Sequence, residues 1–346
     1  MNKDYGFDGI GGFLPLDSNY HTDIGKIDGR LVNSGRNALE LILLSTPGLK
    51  KIYIPDYYCG EVKTGLMRLG LKTAEYPVNE SLECGNLPPD LKEDEALIAV
   101  NYFGVKGKYV SELTEKYPGR VIVDNCQAWY SPVPPKGMGA FFSPRKFFGV
   151  PDGGVACAPA LNDDNPLFAE LWEKLPQGKS YKRCEALLKR IDCGPEAAYE
   201  MSKNERREVG EAPLEKMSRL TELMLGNIPF VDFRRRRMEN FEYLQMRLGN
   251  HNPLADKFSR EMNGPMAYPY ISSDPHLREE LIKRRIFVAT YWPGLLAGAS
   301  ETAAKLAGDI VPLPVDQRYD RNDMEYIVKV IEECERESEP DAIEQK

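Results

Sequence analysis

The stretch Arg120-Val121-Ile122-Val123-Asp124-Asn125-Cys126-Gln127 decides the fold of this chain. It begins as an apolar, β-branched run, which is typical of a buried strand, and it ends abruptly in a polar segment that opens with a carboxylate. Similar short runs, bounded by Gly, Pro, Asp or Asn, occupy residues 51–54, 72–76, 96–100 and 155–157. Stretches with helical spacing, such as 61–69 and 109–116, lie between them. The alternation predicts a mainly parallel sheet with helices on both faces, which binds ligands at the carboxyl ends of its strands. Asp124 lies at one such end.

The rest of the chain predicts a second, smaller unit. Residues 162–231 are helical and polar, and the amphipathic stretch 233–248 leads to a strand-like segment at 266–271 and helices at 277–284 and 323–334. The predicted fold class is therefore α/β, with a three-layer αβα large domain at 1–232 and a smaller α+β domain at 233–346. The tail 335–346 is predicted to be disordered.

Composition limits the classes of function. The content of 42% apolar and 28% charged residues is that of an ordinary globular protein. The net charge of −8 gives no electrostatic reason to bind nucleic acid or an anionic membrane, so a small-molecule partner is expected. The first residues lack the apolar core of a signal peptide, and no window is long enough to span a bilayer, which predicts a cytoplasmic protein.

Metal and thiol chemistry are not indicated. The seven cysteines contain no C-x-x-C pair and are predicted to be reduced thiols. The three histidines, at 21, 251 and 276, lack ligand-spaced neighbours, which argues against a catalytic metal site or a Ser-His-Asp triad.

A lysine follows the decisive stretch. Lys146 ends the segment Phe142-Ser143-Pro144-Arg145-Lys146 and is followed by Gly153-Gly154. A lysine in such a position is usually a solvated charge in a basic turn. Phenylalanine pairs at 141–142 and 147–148 flank it, however, and the expected desolvation would lower its pKa toward the nucleophilic amine.

Three further groups complete a possible cofactor site. Ser34-Gly35 precedes a helical stretch at 36–45, and a helix start offers N–H donors to a phosphate, although Ser34 could be an ordinary N-cap. Asp124 could keep a pyridine nitrogen protonated, or it could cap the next helix. Gln127 could contact a ring hydroxyl, and Ser143 could add a hydroxyl to the phosphate. An amine, a carboxylate and a phosphate cradle in this order are what pyridoxal phosphate (PLP) requires.

The sequence resembles the DegT/DnrJ/EryC1/StrS family, fold-type-I PLP enzymes that mostly aminate nucleotide-linked keto sugars. The resemblance implies that Lys146 binds the cofactor covalently, that Asp124 pairs with the ring nitrogen and Gln127 with the ring oxygen, and that Ser34, Gly35 and Ser143 hold the phosphate. It also implies a homodimer with a shared site. The matching segments are 33–40, 54–59, 102–104, 123–128, 143–146, 153–154, 217–225 and 313–319.

The chain departs from the family pattern at several positions. Arg36 replaces a small residue and could either salt-bridge the phosphate or point away. The serine before the lysine is three residues away, at Ser143, rather than five. The aromatic residue that covers the ring in relatives falls at Tyr58 or Cys59, and no asparagine matches the one lent by the neighbouring subunit near Leu214 and Glu215.

These observations favour a PLP-dependent aminotransferase that moves an amino group from an amino acid, expected to be glutamate, to a nucleotide-linked keto sugar. The pathway would be that of a cell-surface polysaccharide or a deoxyaminosugar. A catalytically silent relative that binds PLP or a nucleotide as a sensor or interaction module is the alternative. The run Arg234-Arg235-Arg236-Arg237 could contact a nucleotide, but its helical spacing favours a solvated helix face.

Overall fold

The computed structural model describes residues 29–297 and 300–338. Residues 1–28, 298–299 and 339–346, which belong to the predicted large and small domains and to the predicted disordered tail, lie outside the described residues. Within the described part, a larger sheet has the strand order β1-β7-β6-β5-β4-β2-β3 and a smaller one pairs β8 with β9. The strands are β1 Arg30–Val32, β2 Lys51–Pro55, β3 Lys72–Tyr76, β4 Glu95–Val100, β5 Val121–Asp124, β6 Gly139–Phe142, β7 Gly154–Cys157, β8 Ala267–Ile271 and β9 Ile310–Pro314.

Helices alternate with these strands as the sequence predicts. They are α1 Gly35–Leu44, α2 Gly60–Arg68, α3 Gly107–Lys116, α4 Pro166–Lys174, α5 Glu185–Cys193, α6 Pro195–Glu211, α7 Arg219–Gly226, α8 Phe230–Leu248, α9 Leu277–Lys283, α10 Glu301–Asp309 and α11 Arg321–Ser338. Among the described helices none is long and apolar enough to cross a membrane. Likewise, no group of three or more metal-ligating side chains occurs in residues 29–297 and 300–338.

The larger sheet is parallel from β6 through β5, β4 and β2 to β3, and β7 runs antiparallel to both β6 and β1. Every residue of β4 and β5 is buried, as expected for strands covered on both faces. The α/β fold class is confirmed. Because the parallel strands end at one edge, the loops after β2, β4, β5 and β6 meet there, together with the turn after β1.

Three strands, β1, β6 and β9, escaped prediction, and the first two did so for local reasons. The edge strand β1 is only three residues long and begins with arginine, and β6 has the sequence Gly-Ala-Phe-Phe, without a β-branched residue. At the other end of the chain, α11 continues through Ser338, so the prediction of disorder is wrong for residues 335–338.

The smaller sheet is antiparallel, with Tyr268 opposite Leu313, and α8 packs against β8 and α11. The predicted boundary between residues 232 and 233 falls inside α8, close to its start at Phe230. The division into two domains stays a prediction.

Candidate active site

Asp124, the last residue of β5, is held from both sides at the carboxyl edge of the sheet. The backbone N–H of Cys126 donates to Asp124 Oδ1 at 2.8 Å, and the hydroxyl of Tyr58 donates to Oδ2 at 2.7 Å. Asp124 is buried, and the N–H of Asn125 continues the ladder to β6 by donating to the carbonyl of Phe141 at 2.9 Å. The carboxylate therefore has a fixed position and orientation.

Tyr58 follows β2 and is completely buried. Burial, and after it the negative charge of Asp124, raise the pKa of Tyr58 well above its usual value. The phenol is consequently a permanent donor toward Asp124. Its neighbour Cys59 precedes α2, and burial raises the pKa of the Cys59 thiol while the charge of Lys146 opposes that rise. Whether Tyr58 or Cys59 covers a cofactor ring stays a prediction.

Gln127 lies in the loop after β5. Of the two polar atoms of its side-chain amide, the oxygen is hydrogen-bonded and the nitrogen is not, within the described residues. Its Oε1 accepts a hydrogen bond from the N–H of Phe103 at 2.7 Å. Its Nε2 is buried and has no hydrogen-bond partner among the described residues. Buried amide donors are rarely left unpaired, so this nitrogen marks a place where a ligand oxygen would be accepted.

Lys146 closes a short 3₁₀ turn after β6, and its N–H bonds to the carbonyl of Ser143 at 3.3 Å. The side chain is accessible to solvent, although protein groups also lie close around it. Burial lowers the pKa of Lys146, but the charges of Cys126, Asp124, Tyr291 and Cys59 outweigh this and leave the pKa raised.

The predicted lowering of the Lys146 pKa is therefore wrong for the protein without a bound cofactor. The flanking phenylalanines, Phe141, Phe142, Phe147 and Phe148, are all buried in the core. Acidic and thiol groups from neighbouring loops determine the direction of the shift instead.

The start of α1 lies against Ser143. Ser34 is the N-cap of α1, and its hydroxyl accepts from the N–H of Asn37 at 3.1 Å. A Cβ added to Gly35 would lie 2.7 Å from the Cys126 Sγ and 3.2 Å from the Ser143 Cβ. The helix start, the loop after β5 and the lysine turn thus meet at Gly35, where the small residue permits the approach.

Gly153 and Gly154 hold the start of α1 against the sheet. The N–H of Gly153, a residue with φ of +127°, donates to the carbonyl of Asn33 at 2.8 Å. A Cβ on Gly154 would lie 2.0 Å from the Ser34 carbonyl oxygen and 2.7 Å from the Gly35 nitrogen. Only glycine at position 154 therefore allows the turn after β1 to pack on β7.

Arg36 points away from this meeting point. Its Nη2 donates to the carbonyl of Ala212 at 2.8 Å, and its stem lies 3.5 Å from the position that a Cβ on Gly65 of α2 would take. The Arg36 guanidinium is thus engaged by the Ala212 carbonyl, and the choice between a phosphate contact and an orientation away from it stays a prediction.

Arg237 departs from the predicted solvated helix face. It is 1% exposed, its Nη2 donates to the carbonyl of Phe147 at 3.2 Å, and its Nε donates to Gln317 Oε1 at 2.9 Å. Burial lowers the pKa of Arg237 to about 10. The Gln317 amide also donates to the Phe147 carbonyl, at 2.9 Å, so both side chains hold the backbone immediately after Lys146.

Tyr291 and Trp292 form an aromatic segment near Lys146 that was not singled out from the sequence. The hydroxyl of Tyr57 donates to the carbonyl of Tyr291 at 2.9 Å, and the Trp292 ring meets the rings of Tyr57 and Tyr58 edge-on, at 5.1 and 6.0 Å. Tyr291 also lies within electrostatic range of Lys146, whose positive charge opposes the rise that burial causes in the Tyr291 pKa. The two consecutive aromatic residues, Tyr291 and Trp292, are the sequence feature that could have indicated this segment.

Comparisons with known proteins support the fold. No protein-family model and no curated protein matches the chain. Among similar solved structures, Helicobacter pylori PseC, an aminotransferase involved in the biosynthesis of pseudoaminic acid, has a TM-score of 0.59 at 14% identity, over 89% of this chain and 86% of that one. A putative sugar aminotransferase from Streptococcus pneumoniae in its PMP form has a TM-score of 0.57 at 15% identity, over 89% and 88%.

A DegT DnrJ EryC1 StrS aminotransferase from Brucella abortus is also similar, with a TM-score of 0.55 at 15% identity over 88% of this chain and 85% of that chain. At such low identity these likenesses establish the arrangement of the backbone. The resemblance that the sequence motifs predicted is thereby confirmed at the level of the fold: this chain has the fold of sugar aminotransferases of the DegT/DnrJ/EryC1/StrS type.

Proposed function

We propose that this protein is a PLP-dependent aminotransferase that transfers an amino group from an amino acid to a nucleotide-linked keto sugar. The observation that carries the proposal is the convergence, at the carboxyl edge of one sheet, of the Lys146 amine, the Asp124 carboxylate and the start of α1. Asp124 and Phe141 are register partners on β5 and β6, so the loops that follow them are direct neighbours.

The residues at this edge fit the proposed cofactor. The unpaired Gln127 Nε2 offers a buried donor to a ring oxygen, and the Asp124 carboxylate is fixed for a charged ring nitrogen. Gly35 and Ser143 lie together at a helix start, where a phosphate would find N–H donors and a favourable dipole. Arg36 has no place in this group because its guanidinium bonds to Ala212.

When bound, PLP would supply an electron sink for carbanion chemistry. Lys146 would hold the cofactor and then, as a free amine, would carry the proton from the α-carbon of the amino-acid donor to the cofactor. Arg237 and Gln317 would keep Lys146 in place by holding the carbonyl of Phe147. Tyr58 would keep the Asp124 carboxylate aimed at the ring nitrogen.

The sugar substrate, the amino donor and the pathway are proposed from similarity to other proteins. The pneumococcal neighbour is described as a putative sugar aminotransferase in a PMP form, and PseC as an aminotransferase involved in the biosynthesis of pseudoaminic acid, which supports an amino transfer to a sugar here. Glutamate as donor, a polysaccharide or deoxyaminosugar pathway, a homodimer and a cytoplasmic location are proposed on the same basis.

The test is a half-reaction with purified protein. We expect protein loaded with PLP to lose its visible absorbance when glutamate is added and to release one equivalent of 2-oxoglutarate. A later addition of a keto sugar nucleotide should restore the absorbance, whereas the corresponding sugar nucleotide without a keto group should not.

A panel of other amino acids tests the choice of donor. If no amino acid changes the absorbance of the loaded protein, the transaminase proposal is wrong and the silent sensor is supported. If no PLP is retained at all, the transaminase and a PLP-binding sensor are both wrong, and the silent relative that binds a nucleotide is the reading left.

A further inference from the structure

We infer that Arg145, Arg183 and Arg206 form a binding site for the diphosphate group of the nucleotide-linked substrate, beside Lys146. The inference rests on the proposed function, which it deepens by assigning residues to substrate recognition. Arg145 immediately precedes Lys146, Arg183 lies in the short 3₁₀ turn that leads into α5, and Arg206 lies on α6.

The first observation is that these guanidinium groups have no hydrogen-bond or ion-pair partner in the part of the chain that the structure describes. Within residues 29–297 and 300–338, none of the three forms a side-chain hydrogen bond or an ion pair. The Nε of Arg145 is buried as well as unpaired. A buried, charged donor without an acceptor is costly, so such a group in a native protein calls for an occupant that supplies the acceptor.

The second observation is the position of the α5–α6 hairpin, residues 185–211. A Cβ on Gly149, three residues after Lys146, would lie 3.9 Å from the Leu187 Cδ2 of α5. The N–H of Ala186 donates to Glu205 Oε1 on α6 at 3.0 Å, so the start of α5 and the middle of α6 are joined near Arg206. The hairpin therefore packs against the loop that carries Lys146.

The positive charges of Arg183 and Arg206 act on Arg145. Burial lowers the pKa of Arg145, Asp152 opposes this, and the positive charges of Arg206 and Arg183 lower it further. Burial raises the pKa of Tyr291, and both Lys146 and Arg206 oppose that rise, so Tyr291 lies within range of both cations. Positive charge thus extends from the lysine to the hairpin.

Asp152 and Glu205, two carboxylates near Arg145, form no ion pair with these arginines within the described residues. Asp152 accepts from the hydroxyl and the N–H of Ser218, at 2.9 and 3.1 Å, and from the hydroxyl of Thr221. Glu205 accepts the N–H of Ala186. Both carboxylates are therefore engaged by neutral donors, and the guanidinium groups keep their donors for a ligand.

The number of cations favours a diphosphate over a carboxylate. Guanidinium groups bind phosphate oxygens with paired, charge-assisted hydrogen bonds. Each carboxylate of an amino-acid donor carries one negative charge and would satisfy one such fork, whereas a diphosphate carries more than one negative charge and has enough oxygens for several forks. The repulsion that Arg183 and Arg206 exert on Arg145 is relieved best by the ligand with the larger negative charge.

The experiment measures binding of inorganic pyrophosphate, by calorimetry, to PLP-loaded protein, in which the cofactor phosphate position is filled. The variants are R183Q, at a half-buried position, and R206Q, at an exposed one. R207Q is the matched control because it removes the same charge from the neighbouring exposed position on α6. We expect R183Q and R206Q each to weaken pyrophosphate binding about tenfold, the effect of losing a charge-assisted hydrogen bond.

The R207Q protein should bind pyrophosphate within about twofold of the wild type, since only screened, long-range charge is lost. Unchanged binding in R183Q and R206Q, an equal loss in R207Q, or no binding to the wild type would overturn the inference. So would a loss confined to glutamate binding, because the site would then serve the donor carboxylate. PLP retention, read from visible absorbance in the same samples, reports separately on the proposed function.

Discussion

Two sets of polar side chains beside Lys146, here called two walls, differ in how they are held. On the sheet wall, Asp124 receives two hydrogen bonds and Tyr58 is fully buried. On the wall formed by the α5–α6 hairpin and the 3₁₀ turn before it, Arg183 is half-buried, Arg206 is exposed, and neither makes a side-chain hydrogen bond within the described residues. One wall is fixed before any ligand arrives, and the other is free to adjust.

The difference matches two tasks in the proposed function. A cofactor that stays bound benefits from donors and acceptors fixed in advance, because little entropy is then lost on binding. A substrate that must enter and leave can be held by side chains that become ordered only when it binds. Breaking the fixed wall should therefore affect cofactor binding strongly, while changes on the hairpin should affect substrate binding alone.

The largest effect is expected for Gly154→Ala on the fixed wall. Its added Cβ would meet the Ser34 carbonyl oxygen at 2.0 Å, so the turn before α1 must move. We expect the free energy of unfolding to fall by about 3 kcal/mol and PLP affinity to fall with it. Chemical denaturation and cofactor titration measure the two changes.

The matched control is Gly149→Ala, because a Cβ there meets only the Leu187 Cδ2 at 3.9 Å. Its stability should stay within about 0.5 kcal/mol of the wild type. Equal effects of the two substitutions would contradict the role assigned to the glycine pair.

A smaller effect is expected for Tyr58→Phe, which removes the hydroxyl that donates to Asp124 Oδ2. Losing this buried bond should cost about 1–3 kcal/mol of stability. PLP affinity should also fall, by about tenfold, because the carboxylate loses the donor that orients it. Equilibrium dialysis against PLP measures the affinity.

Tyr76→Phe separates the two effects. Tyr76 is also buried, but its hydroxyl donates to the carbonyl of Ile98 at 2.7 Å and does not touch Asp124. We expect a similar loss of stability with unchanged PLP affinity. If both variants bind PLP equally well, Tyr58 has only a structural role.

The mildest perturbation is a change of pH. Because the pKa of Lys146 is raised, the amine is mostly charged at neutral pH, and its neutral fraction rises with pH up to that pKa. The rate of covalent PLP attachment should rise about tenfold per pH unit between about pH 7 and pH 9. Stopped-flow absorbance measures this rate, and non-covalent PLP binding to K146A corrects for ionisation of the cofactor. A flat profile would show that Lys146 is already neutral.

The fixed wall could be predicted from the sequence because its signals are local. Asp124 follows an apolar run, and Lys146 follows a segment that leads out of the sheet. Parallel strands then bring their ends to one edge without further information. The site residues themselves stay predictions until a ligand is tested, but their meeting place follows from topology.

The adjustable wall and the buried arginine could not be predicted in this way. Arg237 is buried because Gln317, Pro265 and Phe147, all distant in sequence, supply its acceptors. Arg206 approaches Tyr291 through packing of a polar hairpin whose sequence indicates only a helix. The direction of the Lys146 pKa shift was wrong for the same reason, since groups from other loops outweigh its sequence neighbours.

The most direct test of the central claim locates the bond between PLP and the protein. Wild-type protein is incubated with PLP, reduced with borohydride, digested and analysed by mass spectrometry, with K146A treated in parallel. The account predicts one stable adduct, on the peptide that carries Lys146, and none in K146A. An adduct on another lysine, or an unmodified Lys146 at saturating PLP, would contradict it.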